Sequence, residues 1–327
     1  MIKCLFLFIP LLFFCQKTAE IPTLGSLRDN SNTFSKITVL DQREDKNIGT
    51  VNFKNKEYQF VFKNNDVEKY LTEWFNKSNT TNGASEVVVL LEELKIVNEP
   101  VDEKNNFAVK FKASSFLEKN GDYLFLNRIN SITGPGEYPQ NIPGISFRVS
   151  DLFKFLLKNS YTASPSNIVL TKEDLKSYDL KITADLPAIK ASSLADGLYK
   201  TSQSFFSQTP SQGYEIIRNN SGEVTKFKSS RETLPSFKIF AFVENGKAQL
   251  YTAGGFFDLE KDDNGFYITT NEATLFPAQM NPTYGMFGLI GAGIGAIDTH
   301  AKNKKAQKGD TYKIYIDALT GKYILGK

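Results

Sequence analysis

The sequence is poor in the residues that hold metals or form disulfides. Its 327 residues include two cysteines, Cys4 and Cys15, and a single histidine, His300. Removal of a leader containing both cysteines would leave a chain without thiols, which excludes disulfides and a Cys/His zinc site. His300 precedes a lysine-rich stretch and has no neighbours that indicate a nucleophile or a second ligand, so we interpret it as a surface residue without a chemical role. We predict no cofactor.

The chain also lacks an excess of one charge. It has 39 Lys and Arg against 36 Asp and Glu, which gives a net charge of +3. A nucleic-acid-binding protein usually neutralises many phosphates, so we expect no nucleic acid as partner. The fractions of hydrophobic and charged residues, 41% and 23%, are typical of a globular chain of about two domains.

No recognisable catalytic motif occurs. The acidic stretch Asp258–Gly265 (DLEKDDNG) lacks the alternating ligand spacing of a calcium loop, so we interpret it as a hairpin turn, although sites built from carboxylates alone stay open. The glycines at 134–136 lack the Lys-Ser/Thr of a phosphate loop and indicate an exposed loop. We therefore predict a non-catalytic protein. A secreted hydrolase that uses carboxylates or a lone serine is the alternative, because the fold sets the geometry of such groups.

Long uncharged apolar runs are rare, and one of them begins after Lys3, with the length and composition of a signal-peptide core. Two processing hypotheses follow. Cleavage near Thr18-Ala19 would release a soluble chain, whereas lipidation of Cys15 would tether it, as in bacterial lipoproteins. Phe14 stands where lipoprotein processing expects a small residue, so we place simple cleavage first, with residues 1–19 as the signal peptide, lipidation second and an uncleaved anchor third. We expect an exported protein of the periplasm or the outer membrane.

The other apolar run, Tyr284–Ile297, is rich in glycine. On a helical wheel Gly288, Gly291 and Gly295 fall on a small-residue face. The run is shorter than the roughly 20 residues that a bilayer crossing needs. We interpret it as a short helix packed on the protein's own sheet, with a membrane or oligomer contact as the alternative. Four lysines follow and could touch anionic lipid, but they are also typical of a solvated helix end: Lys302, Lys304, Lys305 and Lys308.

An α+β domain with an antiparallel sheet and two packed helices is predicted over residues 36–165, after a mobile linker at residues 20–35. The predicted strands are Lys36–Asp41, Asn47–Phe53, Glu57–Phe62, Glu86–Val97, Phe107–Phe116 and Tyr123–Ile129. A first helix, capped by Asn65 or Asp66, should bury Val67, Tyr70, Leu71, Trp74 and Phe75. A second helix should begin at Ser150, after a loop at Ile132–Gly144.

A connection at residues 166–192 leads to a mainly antiparallel β domain over residues 193–327, into which the Gly-rich helix of residues 284–297 is inserted. Turn signals separate its strands at Asn219–Gly222, Glu244–Gly246 and Asp262–Gly265. A last hairpin should pair Tyr312–Asp317 with Lys322–Leu325. The overall fold class is therefore α+β.

Three motifs give the second domain a family resemblance. They are DGLYKTSQSF at Asp196–Phe205, FAFVENGKAQLY at Phe240–Tyr251 and YIDALTGK at Tyr315–Lys322. With the Gly-rich segment between them, they resemble uncharacterised exported proteins of Bacteroidetes, which implies an envelope location and no particular site. The first domain resembles, in architecture only, auxiliary lipoproteins of lipid-transport ABC systems. We therefore predict an exported cell-envelope protein that binds a protein partner or a lipid, with membrane association through the N-terminus or residues 284–297.

Overall fold

The computed structural model describes residues 17–79, 83–101, 104–133, 139–275 and 310–324. These residues form an α+β fold, as predicted. The first region contains β1 (Lys17–Glu20), β2 (Phe34–Asp41), β3 (Thr50–Phe53), β4 (Lys56–Val61), α1 (Val67–Ser78), β5 (Ser85–Val101), β6 (Lys104–Lys119), β7 (Asp122–Thr133), α2 (Ile142–Thr162), β8 (Val169–Leu170) and α3 (Tyr178–Asp185), with 3-10 turns at Lys63–Asn65 and Glu173–Lys176.

The main sheet of this region has the strand order β2-β5-β6-β7-β8, and a smaller sheet has the order β1-β4-β3. Strands β5, β6 and β7 form the predicted antiparallel meander, with the tight turn at Asn120-Gly121. Two pairs are parallel, which the prediction of an antiparallel sheet missed: β2 with β5, and β1 with β4. The β2–β5 pair is possible because β3, β4 and α1 together supply the long crossover that parallel neighbours require.

Helix α1 confirms its predicted cap and apolar stripe. The Asp66 carboxylate accepts a hydrogen bond from the Lys69 N–H at 2.9 Å, and all five stripe residues are buried. They pack against one face of the main sheet, together with α2, in the largest hydrophobic core of the described residues.

Helix α2 begins earlier than predicted. Asn141 caps it by accepting a hydrogen bond from the Gly144 N–H at 2.8 Å, and Pro143 lies in the first turn, where its missing N–H is no loss. Ser150 is a buried residue inside the helix. The expected start at Ser150 was wrong because the proline and glycine of the first turn were interpreted as a loop.

Residues 20–35 are not a mobile linker, which corrects the prediction. Leu27 is completely buried, the Trp74 indole donates to the Gly25 carbonyl at 2.9 Å, and the Tyr70 hydroxyl donates to the Pro22 carbonyl at 2.7 Å. The Asp29 carboxylate accepts from the N–H groups of Thr33 and Phe34. Side chains thus form hydrogen bonds with the backbone N–H and C=O groups of a segment that has no periodic sequence pattern of its own.

Most of the predicted connection at residues 166–192 also belongs to the first region, but its last helix, Pro187–Lys190, packs in the core of the second region. Four of its side chains, Leu170, Leu175, Tyr178 and Ile182, pack on the second face of the main sheet. The boundary was placed too early because single-turn helices and a two-residue strand carry almost no periodicity.

The second region contains α4 (Pro187–Lys190), β9 (Gly197–Tyr199), α5 (Ser202–Phe206), β10 (Glu215–Arg218), β11 (Val224–Lys228), β12 (Thr233–Pro235), β13 (Ala241–Glu244), β14 (Lys247–Thr252), β15 (Gly255–Asp262), β16 (Gly265–Thr270), α6 (Glu272–Leu275), β17 (Tyr312–Ile316) and β18 (Tyr323–Ile324). A 3-10 turn lies at Ser236–Lys238. Seven strands form an antiparallel sheet in the order β18-β17-β16-β15-β14-β13-β9, and β10, β11 and β12 form a second sheet.

The turns predicted from sequence lie between the strands of this region. Glu244–Gly246 joins β13 to β14, and Asp262–Gly265 joins β15 to β16. Helices α4 and α5 contribute to the core on one face of the seven-stranded sheet. The sheet of β10, β11 and β12 packs on Phe242 and Phe256 of the other face. None of the helices in the described ranges combines the length and the apolar character needed to cross a membrane.

Candidate binding cleft

The site residues proposed from sequence lie outside the described residues. These are the lipidation candidate Cys15 and the packing or membrane-contact glycines Gly288, Gly291 and Gly295; His300, to which we assigned no chemical role, also lies outside the described residues. The acidic stretch Asp258–Gly265 is described, and it forms the predicted hairpin. Its Asp262 carboxylate pairs with Lys313 at 2.7 Å and accepts from the Tyr315 hydroxyl at 3.0 Å. Across the described ranges, no group of three metal-ligating side chains comes together.

A cleft of about 990 Å³ opens in the first region, where the sheet of β1, β4 and β3 meets the main sheet. Strand β1, strand β2 and the start of α1 all contribute to its walls. The lining residues are Thr18, Glu20, Val39, Asp41, Arg43, Lys46, Asn47, Ile48, Gln59, Phe60, Val61, Phe62, Asn64, Asn65, Asp66, Val67 and Glu68. The cleft therefore combines a partly apolar lining with several charged groups.

A buried arginine lies in this lining. The side chain of Arg43 is 5% exposed and forms a two-pronged ion pair with Asp41: Nε donates to Oδ1 at 2.9 Å and Nη2 to Oδ2 at 2.8 Å. Such parallel hydrogen bonds fix the plane of the guanidinium group. Lys46 adds a hydrogen bond from Nζ to the Asp41 carbonyl at 2.7 Å. Asp41 thus orients Arg43 without help from any ligand.

The third nitrogen of this guanidinium group, Nη1, is buried and has no hydrogen-bond partner among the described residues. A buried N–H without an acceptor costs about 1–3 kcal/mol, and more where the donor is charged. Native proteins rarely leave such a donor unsatisfied. An oxygen from outside the chain would satisfy Nη1 and recover this free energy.

The charge of Arg43 also acts on its partner. Burial by itself would raise the pKa of Asp41, but the hydrogen bonds and the positive charge of Arg43 outweigh burial and hold that pKa below its ordinary value of 3.8. Asp41 is therefore ionised at neutral pH, and the Asp41–Arg43 pair carries no net charge.

The remaining charged groups of the cleft are mainly acidic. Glu20, Asp66 and Glu68 are exposed carboxylates, whereas Lys46 is the other basic residue of the lining and lies 3.2 Å from Asp41. Three carboxylates against one ammonium group leave an excess of negative charge around the neutral Asp41–Arg43 pair. This excess disfavours an anionic ligand and favours a cationic one.

Two of the three strands that contribute to the cleft, β1 and β2, are edge strands, whereas β4 is the central strand of its sheet. Strand β1 is outermost in the order β1-β4-β3, and β2 is outermost in the order β2-β5-β6-β7-β8. An edge strand presents backbone N–H and C=O groups on the side away from its neighbour. Edge strands of two sheets therefore meet in one cleft.

A second buried arginine, Arg128 of β7, lies on the opposite face of the main sheet. Its side chain is 7% exposed, and its guanidinium nitrogens lie 3.8 Å from the Asp179 carboxylate and 3.7 Å from the Asp317 carboxylate. The Arg128 Cζ atom also lies 5.8 Å from the centre of the Tyr178 ring. Because Asp179 belongs to α3 and Asp317 to the turn after β17, this arginine connects the two regions of the molecule.

The Tyr178 hydroxyl extends this polar cluster. It donates to the Glu92 carboxylate at 3.0 Å and shares a hydrogen bond with the buried Ser114 hydroxyl. Glu92 in turn pairs with Lys112 at 2.8 Å. Burial is the main reason that the pKa of Tyr178 is raised well above 10, with Glu92 adding to the effect and Arg128 opposing it. A tyrosine that keeps its proton in this way stabilises packing and is not poised for proton transfer.

A smaller cleft of about 370 Å³ lies in the second region, between the sheet of β10, β11 and β12 and strand β9. Its lining includes Glu244, which pairs with Arg218 at 2.7 Å. Both side chains of that pair are well exposed, so they offer less directed recognition than Arg43 does.

Sequence reasoning did not identify Arg43. It stands in the charged stretch Asp41–Asp45 (DQRED), which has the composition of a solvated turn. A basic residue placed between acidic ones two positions away on either side is a weak signal, and nothing in that stretch indicates that the arginine is buried.

Comparisons of this chain with family models, with curated proteins and with solved structures find no match.

Proposed function

We propose that this protein is exported to the cell envelope and acts there as a non-catalytic binding protein, with the first-region cleft as its binding surface. The observation that carries the proposal is the buried Arg43, which lines the cleft, is oriented by Asp41 and has an unpartnered Nη1 among the described residues. Such a preoriented donor recognises a ligand oxygen without the cost of ordering a flexible side chain.

The chemistry of the cleft suits binding better than catalysis. A general base works best when its pKa lies near the operating pH. The pKa of Asp41 is shifted the other way, because Arg43 stabilises the ionised carboxylate. Asp66 is engaged as the cap of α1. Asp41 is thus poorly suited to act as a general base, and Asp66 has a structural role as a helix cap.

The position of β1 supports a particular form of export. Residues Lys17–Glu20 pair with β4, and the side chain of Ala19 is buried in the hydrophobic core of the first region. Cleavage near Thr18-Ala19, which we placed first, would remove part of this strand. Processing before Cys15 would keep all of it. We therefore propose that Cys15 is the lipidated first residue of the mature chain and that it tethers the folded part to a membrane.

Cell fractionation with mass spectrometry of the mature N-terminus tests the location and the anchor together. We expect the envelope fraction to contain a chain that begins at Cys15 and carries lipid, and we expect Cys15→Ala to lose the lipid while Cys4→Ala keeps it. A mature N-terminus at Ala19 or Glu20 would refute lipidation. Full-length chain confined to the cytosol would refute the envelope role.

Photo-crosslinking in living cells tests the binding surface. A photoreactive phenylalanine analogue in place of Thr18 lies in the cleft, and the same analogue in place of the exposed Thr162 lies on α2, outside it. We expect a defined adduct from position 18, weakened by Arg43→Lys, and none from position 162. Equal labelling at the two positions, or none at either, would refute the assignment of the cleft.

A further inference from the structure

We propose that the cleft binds an extended peptide segment with basic side chains, and that Nη1 of Arg43 donates to a backbone carbonyl oxygen of this segment. The inference rests on the proposed function, because it names the partner class of the same cleft.

The acceptor is a neutral carbonyl oxygen because of the charges around Nη1. The two-pronged ion pair with Asp41 already neutralises the guanidinium charge. A phosphate or carboxylate would gain one hydrogen bond but would face the excess of acidic groups at Glu20, Asp66 and Glu68. A carbonyl oxygen satisfies Nη1 without this repulsion, so the cleft discriminates against anions.

The basic side chains follow from the exposed acids. Glu20 lies on β1 and Glu68 in the first turn of α1, so carboxylates stand on two separate elements of the cleft. Both are solvent-exposed, which lets them meet lysine or arginine without a large desolvation cost. Attraction of this kind gives specificity and fast association more than it gives affinity.

The extended conformation follows from the edges of the two sheets. An exposed sheet edge binds a peptide by adding it as a further strand, whose backbone supplies the hydrogen bonds and whose alternate side chains enter pockets. Strands β1 and β2 each present such an edge and each contribute lining residues. The apolar lining residues Val39 and Val61 are suitable contacts for the side chains that point away from the acids.

The test measures binding of three synthetic octapeptides to the chain of residues 17–327, by fluorescence anisotropy at low salt. In the peptides threonine alternates with lysine, with glutamine or with glutamate, so that each has one charged or amide face when extended. We expect the lysine peptide to bind about tenfold tighter than the glutamate peptide, with the glutamine peptide between them. Inorganic phosphate at millimolar concentration should not compete.

Two sets of variants locate the binding. Glu20→Gln/Glu68→Gln should weaken the lysine peptide about fivefold and leave the glutamine peptide unchanged, whereas the control pair Asp151→Asn/Glu173→Gln, also exposed, should alter neither. Arg43→Lys keeps a positive charge beside Asp41 but loses the planar donor group, so it should weaken the lysine and glutamine peptides equally. Thermal melting checks that Arg43→Lys is folded. If it is not, the Glu20→Gln/Glu68→Gln variant alone decides whether the peptide binds in the cleft.

Several results would overturn the proposal. They are tighter binding of the glutamate peptide, displacement by phosphate, cleft-dependent binding to phosphatidylglycerol vesicles, and failure of all three peptides to bind. If the peptides fail while the adduct at position 18 persists in cells, the peptide class is wrong and the binding function stands. If both fail, the proposed function is wrong as well.

Discussion

The two buried arginines show how equal burial serves different purposes on the two faces of one sheet. The side chains of Arg43 and Arg128 are 5% and 7% exposed. Arg43 makes short, directed hydrogen bonds to one carboxylate and borders an open cleft. Arg128 lies 3.7–3.8 Å from two carboxylates and against an aromatic ring, and it joins separate elements.

The difference lies in what surrounds each group. Around Arg128, the partners come from α3 and from the turn after β17, so its charge stabilises the contact between the two regions. Arg43 and Asp41 are two residues apart, so their pair closes no long-range contact. A charge that links distant elements is a structural group, whereas a charge oriented by its own neighbour remains available to a ligand.

Removing the linking charge should have the largest effect on stability. Arg128→Met would leave the mostly buried Asp317 carboxylate without its partner, and breaking a buried ion pair typically costs about 3–5 kcal/mol. Urea denaturation should show this loss in the free energy of unfolding. The control Arg231→Met, at an exposed arginine, should change that free energy by less than about 0.5 kcal/mol. A loss below about 1 kcal/mol in Arg128→Met would show that the charge does not connect the regions.

Tyr178→Phe should also lower the free energy of unfolding, and the size of its effect should depend on pH. Loss of the hydroxyl removes the hydrogen bonds to Ser114 and Glu92, which keep only their mutual 3.3 Å hydrogen bond and the ion pair of Glu92 with Lys112, and this costs about 1–3 kcal/mol at neutral pH. The pKa of Tyr178 is raised in the folded state, so its contribution is complete below the unfolded value of 10 and is lost as pH rises towards the folded value.

The variant should therefore lose less stability than the wild-type protein between about pH 9 and pH 11, as measured by urea denaturation at each pH. Tyr58→Phe, at a partly buried tyrosine of β4, is the control, and it should follow the wild-type curve. Parallel curves for Tyr178→Phe and the wild-type protein would contradict the role of the buried hydroxyl.

Arg43→Met should cost less than Arg128→Met, about 1.5–3 kcal/mol, which is the range for hydrogen bonds to a charged group. Asp41 keeps 20% of its side chain exposed and has Lys46 at 3.2 Å, so it can be solvated after the arginine is lost. The substitution also removes the unsatisfied Nη1, which offsets part of the loss. Chemical denaturation of both methionine variants under one set of conditions makes the comparison. A greater loss in Arg43→Met would reverse the assigned roles.

The smallest effect concerns acid pH. The folded-state pKa of Asp41 lies below 3.8, so its contribution to stability is present above that value and is lost as pH falls through the folded pKa. Asp41→Asn should therefore show a shallower loss of stability than the wild-type protein between about pH 5 and pH 3, by thermal melting. Asp151→Asn, at an exposed helical position, should keep the wild-type slope. A wild-type slope in Asp41→Asn would mean that Arg43 does not stabilise this carboxylate.

Local sequence by itself determined the elements with strong short-range signals. The stripe Val67, Tyr70, Leu71, Trp74 and Phe75 follows the helical period, and Asp66 supplies the cap, so α1 was predictable. The meander of β5, β6 and β7 follows from β-rich runs separated by Asn120-Gly121, whose left-handed backbone suits a tight turn. These signals act between residues that are close in the chain.

Tertiary structure decided the rest, because the deciding partners are far apart in sequence. The segment at residues 20–35 is ordered by Tyr70 and Trp74, which lie some fifty residues away. Strand β2 pairs in parallel with β5, and this pairing depends on the crossover that contains α1. Arg43 could be recognised as an acid-flanked arginine, but its burial depends on the meeting of two sheets and the start of α1. The cleft therefore exists only in the folded chain, since no local pattern encodes a gap between distant elements.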